Sequence, residues 1–225
     1  MKLTKETLTI IKNYASINSN LLLKPGKKLA TKEPTGKIFS TSPIVEDFPI
    51  QFPIYDVNEF LSVFSLFDNP DIEFNEKFLT IKEGNAAVKF FAASLEALVV
   101  PPDRDVVFGD IVVEFDLTAS LLNTLLKTAP VLKVQDISIS GDGATTSITI
   151  ADKKNPTSNS YITTVGTTTK VFKVNVNTLN LKMLPGDYKV CISRKGMQFT
   201  SKTSDLIYYV AIELDSVFEE DNAQK

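Results

Sequence analysis

The chain has 225 residues, 43% of them apolar, a net charge of −3, one cysteine and no histidine. A disulfide framework, a Ser-His or Cys-His nucleophile and a zinc site built on histidine or cysteine are excluded, because each needs side chains that are absent. No apolar run approaches the roughly 20 residues that span a bilayer, Met1 leads into charged residues and not into a signal sequence, and the charge balance gives no bulk attraction to nucleic acid. The expectations are no membrane partner, no metal or other cofactor, and a reducing, cytoplasmic setting.

Met1 to Ile17, MKLTKETLTIIKNYASI, reads as an amphipathic helix. At 3.6 residues per turn Leu8, Ile11 and Ala15 form an apolar stripe, widened by Ile10, Tyr14 and Ile17, while Lys2, Lys5, Thr9, Lys12 and Ser16 lie opposite. Thr4 suits the N-cap and Glu6 the first turn. NLLLK, KPGKKLATK and KIFS (residues 20–40) follow as short strands separated by turns. FPIQFPIY alternates into Asp56, which with Glu59 has capping-box spacing and predicts a helix over 57–67. Only Asn58, Ser62 and Ser65 give that helix a polar edge, so burial on nearly all sides is expected. Strands near 71–74, 78–82 and 86–92 come next.

SLEALVVPPDRDVVF (94–108) breaks the pattern, since Pro101-Pro102 favours an extended connector. It is expected to join two domains, 1–93 and 109–225. In the second, IVVEFDL is a strand and Thr118–Ala129 a helix ended by Pro130, with Leu121, Leu122, Leu125, Leu126 and Ala129 on one side and Lys127 on the other. VQDISISGDGATTSITIAD is a hairpin turning at Gly141-Asp142-Gly143; its GDGATTS lacks the lysine of a phosphate-binding loop. Beyond the polar loop 153–160, strands YITTV and KVFKVNV lead to a short helical stretch between Asn177 and Met183 that carries Lys182. DYKVCISRKGMQFTS and the closing strand IYYVAIELDS precede an acidic tail over 219–225. The alternation of YKVCIS makes Cys191 a small core residue.

Helix starts near Thr4, Asp56, Thr118 and Asn175, 52, 62 and 57 residues apart, suggest one α-plus-hairpin unit used four times. Two units per domain predict an α+β fold, with helices together on one face of antiparallel sheet. Lys2, Lys5, Lys12, Lys127 and Lys182 then share a helical surface that attracts phosphate without reading bases.

Long stretches also carry a family likeness: MKLTKETLTIIKNYASINS, IYDVNEFLSVFSL, LKMLPGDYK with the following RKG, and YYVAIELDS, collinear across both domains, with the third helix and its hairpin fitting too. On these residues the chain resembles the sliding clamp, or DNA polymerase processivity factor, of T-even-type tailed bacteriophages. The resemblance implies the DNA clamp fold, a homotrimeric ring closed head to tail with sheets outside and helices facing the hole. It implies non-specific encirclement of double-stranded DNA, a replicative DNA polymerase as partner, loading by a clamp loader ATPase, and the cytoplasm of the infected bacterial host. Lys5 and Lys12 match the DNA-facing positions best, with Lys2, Lys127 and Lys182 behind them. The third helix departs, with Pro130 in a region where another basic residue is expected, and Lys133 is the candidate to compensate. The likeness further implies a groove near the connector that takes a partner's extended C-terminal peptide, with Leu98, Val99, Val100 and Pro101 as candidates; simple packing between domains competes for the same residues.

Ring closure requires two different exposed edge strands per subunit. An enzyme acting through carboxylates would need paired acids in a pocket, and no such spacing occurs, so the reading is non-enzymatic. The alternative is a β-rich structural or interaction protein of a virion, whose assembly would ignore DNA topology.

Overall fold

Thr4 caps the first helix as its sequence context predicts: its hydroxyl accepts from Thr7 N at 3.2 Å and opens α1 (Lys5–Ile17). The computed structural model describes residues 1–103, 106–155 and 157–219 and divides the chain into two units, Met1–Asp105 and Val106–Lys225. Helix α1 buries Thr7, Ile10, Ile11, Tyr14 and Ile17, while Leu8 and Ala15 are only half-buried. The stripe is thus rotated from the expected one. Two polar contacts turn it: Thr7 Oγ1 donates to Glu46 Oε2 at 2.5 Å, and Ser40 Oγ donates to the Tyr14 phenol at 3.1 Å.

The first unit continues with β1 (Leu21–Leu23), β2 (Gly26–Lys32), β3 (Ile38–Phe48), β4 (Phe52–Ile54), α2 (Val57–Phe64), β5 (Asp71–Phe74), β6 (Phe78–Glu83) and β7 (Ala86–Phe91). β1 pairs with β4, β2 with β3, and β5-β6-β7 form a meander, all antiparallel. β3 runs well past the predicted KIFS, and it tolerates Pro43 because that residue faces Lys28 at a register shift, where a missing N–H costs least. Leu29, Phe48, Phe52, Phe60, Leu79 and Ile81 are fully buried, with Phe60 edge-on to Phe90 at 5.6 Å.

Helix α2 is capped by Asp56, which accepts from Asn58 N and Glu59 N. It ends at Phe64 and buries only Val57, Phe60 and Phe64, leaving Leu66 69% exposed, so the expectation of a long helix buried all round is corrected. Glu83 draws the chain away: its carboxylate accepts from Asp68 N at 2.9 Å and Asn69 N at 3.0 Å, offering the backbone an alternative to another helical turn.

The second unit comprises β8 (Ile111–Leu117), α3 (Ala119–Val131), β9 (Asp136–Asp142), β10 (Thr145–Ile150), β11 (Tyr161–Thr167), β12 (Val171–Asn177), β13 (Tyr188–Ser193), β14 (Gly196–Ser201), β15 (Ile207–Val210) and β16 (Val217–Phe218). Its strands run in the orders β11-β10-β9-β12-β16 and β15-β14-β13-β8, antiparallel throughout. Pro130 does not end α3. It sits in the last turn, and the helix closes just beyond it when Lys133 N bonds Pro130 O at 3.0 Å and Val134 N bonds Ala129 O at 2.9 Å.

The predicted helix over 177–183 is one 3-10 turn, Thr178–Asn180. Asn177 accepts from Leu179 N, Thr178 N is spent on Gln135 O, and Leu181 leaves helical space at ψ 50°, so no second turn forms. Among the described residues there are therefore three α-helices, and the fourfold repeat fails at its last helix. The closing strand is also shorter than predicted: it ends at Val210, and Val217–Phe218 returns as β16. Arg104 and Asp105 of the connector and 220–225 of the tail lie outside the described residues.

Candidate nucleic-acid interface and partner groove

Lys5 and Lys12 are seven residues apart, two turns of α1, so they share its exposed face. That face is held from behind. Thr4 N and Thr7 Oγ1 both donate to the carboxylate of Glu46, which is only 7% exposed. Burial pushes this carboxyl up, but the bonds from Thr7 and Thr4 outweigh it and hold it below the ordinary range, so it stays charged beside the positive end of the helix. Lys2 is exposed and precedes the cap, so it is not on the helix.

In the second unit Thr118 caps α3, and Asp187 Oδ1 accepts from Ala119 N at 2.7 Å. Lys127 is exposed on α3. Lys133 is exposed just past its end, in left-handed backbone at φ 56°. Lys182 is half-buried in the coil after the 3-10 turn, which corrects its expected place on a helix face.

A cavity of about 170 Å³ opens in the first unit. Leu22, Lys24 and Pro25 form one wall, Lys28, Ala30 and Phe39 a second, and Pro101, Pro102 and Asp103 the third. Asp103 is ion-paired with Lys24 across it. Of the four predicted groove residues only Pro101 lines the cavity; Leu98 is buried, Val100 half-buried, and Val99 39% exposed. Sequence reasoning missed the walls from β1, β2 and β3. The available signal was period two: Lys28 and Ala30 fall on one side of β2.

The sheet edges differ in how they end. Met1 closes the outer edge of β5, exchanging Ile72 N to Met1 O at 2.7 Å and Met1 N to Ile72 O at 2.8 Å, and β16 covers β12. β7 and β11 terminate their sheets, with Phe91 67% and Ile162 64% exposed. Phe91 leans on Phe78 at 5.8 Å, which Lys89 Nζ caps at 4.7 Å. Cys191 is buried, and burial next to the Glu114 carboxylate pushes its thiol up, away from nucleophile chemistry.

Residues 4–100 match the family model of the DNA polymerase processivity factor, and residues 114–214 that of the gp45 sliding clamp, C terminal. The chain is 30% identical over 221 residues to the sliding clamp of Vibrio phage KVP40, covering 95% of this chain and 99% of that protein. It is 29% identical over 232 residues to the sliding clamp of Enterobacteria phage T4, covering 97% and 100%. Among solved structures, A. fulgidus PCNA bound to the C-terminal region of FEN-1 superposes with a TM-score of 0.71 at 12% identity, covering 96% of this chain and 98% of that one, a likeness of fold.

Proposed function

The chain belongs to the phage sliding-clamp family of DNA polymerase processivity factors, and on that premise we propose that it closes head to tail into a homotrimeric ring around duplex DNA. A closed ring cannot leave DNA without opening. Retention is therefore topological, and the phosphate contacts need only centre the duplex. Flexible lysines screened by salt suit this, because tight base-specific contacts would hinder sliding. The observation that carries the reading is the pairing of Lys5 and Lys12 on the exposed face of a helix whose other side is locked to a buried carboxylate. Lys2, Lys127, Lys133 and Lys182 add weaker contacts.

Ring closure is assigned to β7 of one subunit and β11 of the next, two strands with open edges and exposed apolar side chains at Phe91 and Ile162. The connector 94–108 links the two clamp domains. The cavity walled by Leu22, Phe39 and Pro101 receives an extended segment of the replicative polymerase, a role supported by these apolar side chains beside the connector, with Lys24, Lys28 and Asp103 adding charge at its walls. An ATP-driven loader opens the ring, and the setting is the cytoplasm of the infected bacterium.

The test is to load the protein on nicked circular DNA with its cognate loader and then linearise the DNA. The expected result is retention on the circle and loss from free ends. Equal retention on both forms refutes encirclement and returns the chain to a β-rich structural role.

A further inference from the structure

Two buried asparagines that take no part in ring closure or DNA contact hold the connector to the first unit. Asn18 is 4% and Asn20 8% exposed, and both follow α1 directly. Asn18 Nδ2 donates to Val99 O and to Lys32 O, each at 2.9 Å. Asn20 Oδ1 accepts from Val99 N at 3.1 Å, and its Nδ2 donates to Tyr55 O at 2.7 Å. Asn20 N donates to Asn18 Oδ1 at 2.9 Å, tying the two residues together. Val99 is thus gripped by both its N–H and its carbonyl, as a neighbouring strand would grip it, but by side chains whose partner lies 79 to 81 residues away.

The position of this grip matters for the groove. Pro101 and Pro102, which form part of its third wall, have no N–H of their own to anchor them. Their place follows from Val99, because successive prolines restrict the torsions between. Leu22 and Lys24, on the facing wall, come two and four residues after Asn20. The same side chains therefore fix both sides of the cavity.

We infer that Asn18 and Asn20 are positioning residues of the partner groove, setting the separation of its walls and hence the affinity for the polymerase segment. The inference rests on the proposed role of the cavity. A primary amide supplies a donor and an acceptor at the spacing of a peptide group; alanine at position 18 takes the partner from Val99 O, and alanine at position 20 takes the partner from Val99 N.

The experiment uses the full-length ring and, as probe, the replicative polymerase encoded by the same genome. Asn18→Ala and Asn20→Ala are expected to weaken polymerase binding at least tenfold and to speed amide exchange at Val99 and Val100. Amides of β5, β6 and β7, and retention on nicked circles, stay unchanged. Leu79→Ala, a core substitution in the same unit, lowers the melting temperature at least as far yet leaves the affinity within twofold. Asn20→Ser serves where alanine prevents folding. Affinity within twofold for the asparagine variants, while Phe39→Glu abolishes binding, overturns the inference and leaves the groove standing. Normal binding by Phe39→Glu overturns the groove and the inference with it.

Discussion

Helices α1 and α3 are built to one plan and anchored with different strength. Each has 13 residues, a threonine N-cap, and a carboxylate from a distant strand or turn on its first turn. Glu46 is buried and takes a backbone N–H and a buried hydroxyl; Asp187 is exposed and takes one N–H. A hydrogen bond to a charge contributes most where water cannot replace it. The lysines follow the same division, with Lys5 and Lys12 on the firmly held helix, Lys127 on the lightly held one and Lys133 just past its end.

The largest expected effect is at the buried anchor. Glu46→Ala strands Thr4 N and the Thr7 hydroxyl and should cost about 3 kcal/mol, against about 1 kcal/mol for Asp187→Ala. Urea denaturation of the two variants checks it, and equal losses would erase the distinction between the helices. The pH dependence sharpens the point. The folded Glu46 carboxyl binds its proton less tightly than the ordinary group of pKa 4.5, so its contribution is whole above that value and is lost as pH falls through the lower folded one. Glu46→Gln should flatten the acid limb of the stability curve, and an unchanged limb would assign the acid loss to other carboxylates.

Next in size is the effect on DNA. Lys5→Glu with Lys12→Glu should reduce loading and processive synthesis about tenfold, because each lost phosphate contact removes its released counterion. Lys127→Glu alone should cost about threefold or less by the same count. Primer extension on a long single-stranded circle measures both, with sedimentation confirming that the oligomer persists. Losses of equal size from α1 and α3 would place the two faces on the same footing, and a dissociated oligomer would put Lys5 and Lys12 in the subunit interface.

What could be read from the sequence was local. Thr4, Asp56 and Thr118 mark their helices because a cap acts within three residues, and the strands follow from alternation. What escaped was set by partners far along the chain. The rotation of α1 depends on Glu46, 39 residues after Thr7; the early end of α2 depends on Glu83, 15 residues after Asp68. At 177–183 one 3-10 turn replaced a helix because Gln135 and Asn177 claimed its first donors. The lysines stood out by periodicity, whereas the groove joins β1 to a connector some 80 residues on, and no local pattern joins Asn20 to Val99.

The smallest predicted effect tests why α3 ends as it does. At its C-terminus the position that takes left-handed backbone is occupied by Lys133, at φ 56°, where glycine is the usual residue. Elsewhere the chain spends glycines on such angles, at Gly36, Gly84 and Gly143, and Asp110 belongs to a type that tolerates them. A lysine there costs about 1 kcal/mol in steric strain, of which its charge near the negative end of the helix returns about 0.5 kcal/mol. Lys133→Asn relieves part of the strain and drops the charge, so the stability of the second unit should move by no more than about 0.5 kcal/mol. Loading on nicked circles should fall about twofold as one phosphate contact disappears. Lys133→Arg keeps the strain and the charge and should load normally. If Lys133→Asn loads normally as well, the lysine serves the helix terminus alone, and α3 contributes to the DNA surface through Lys127.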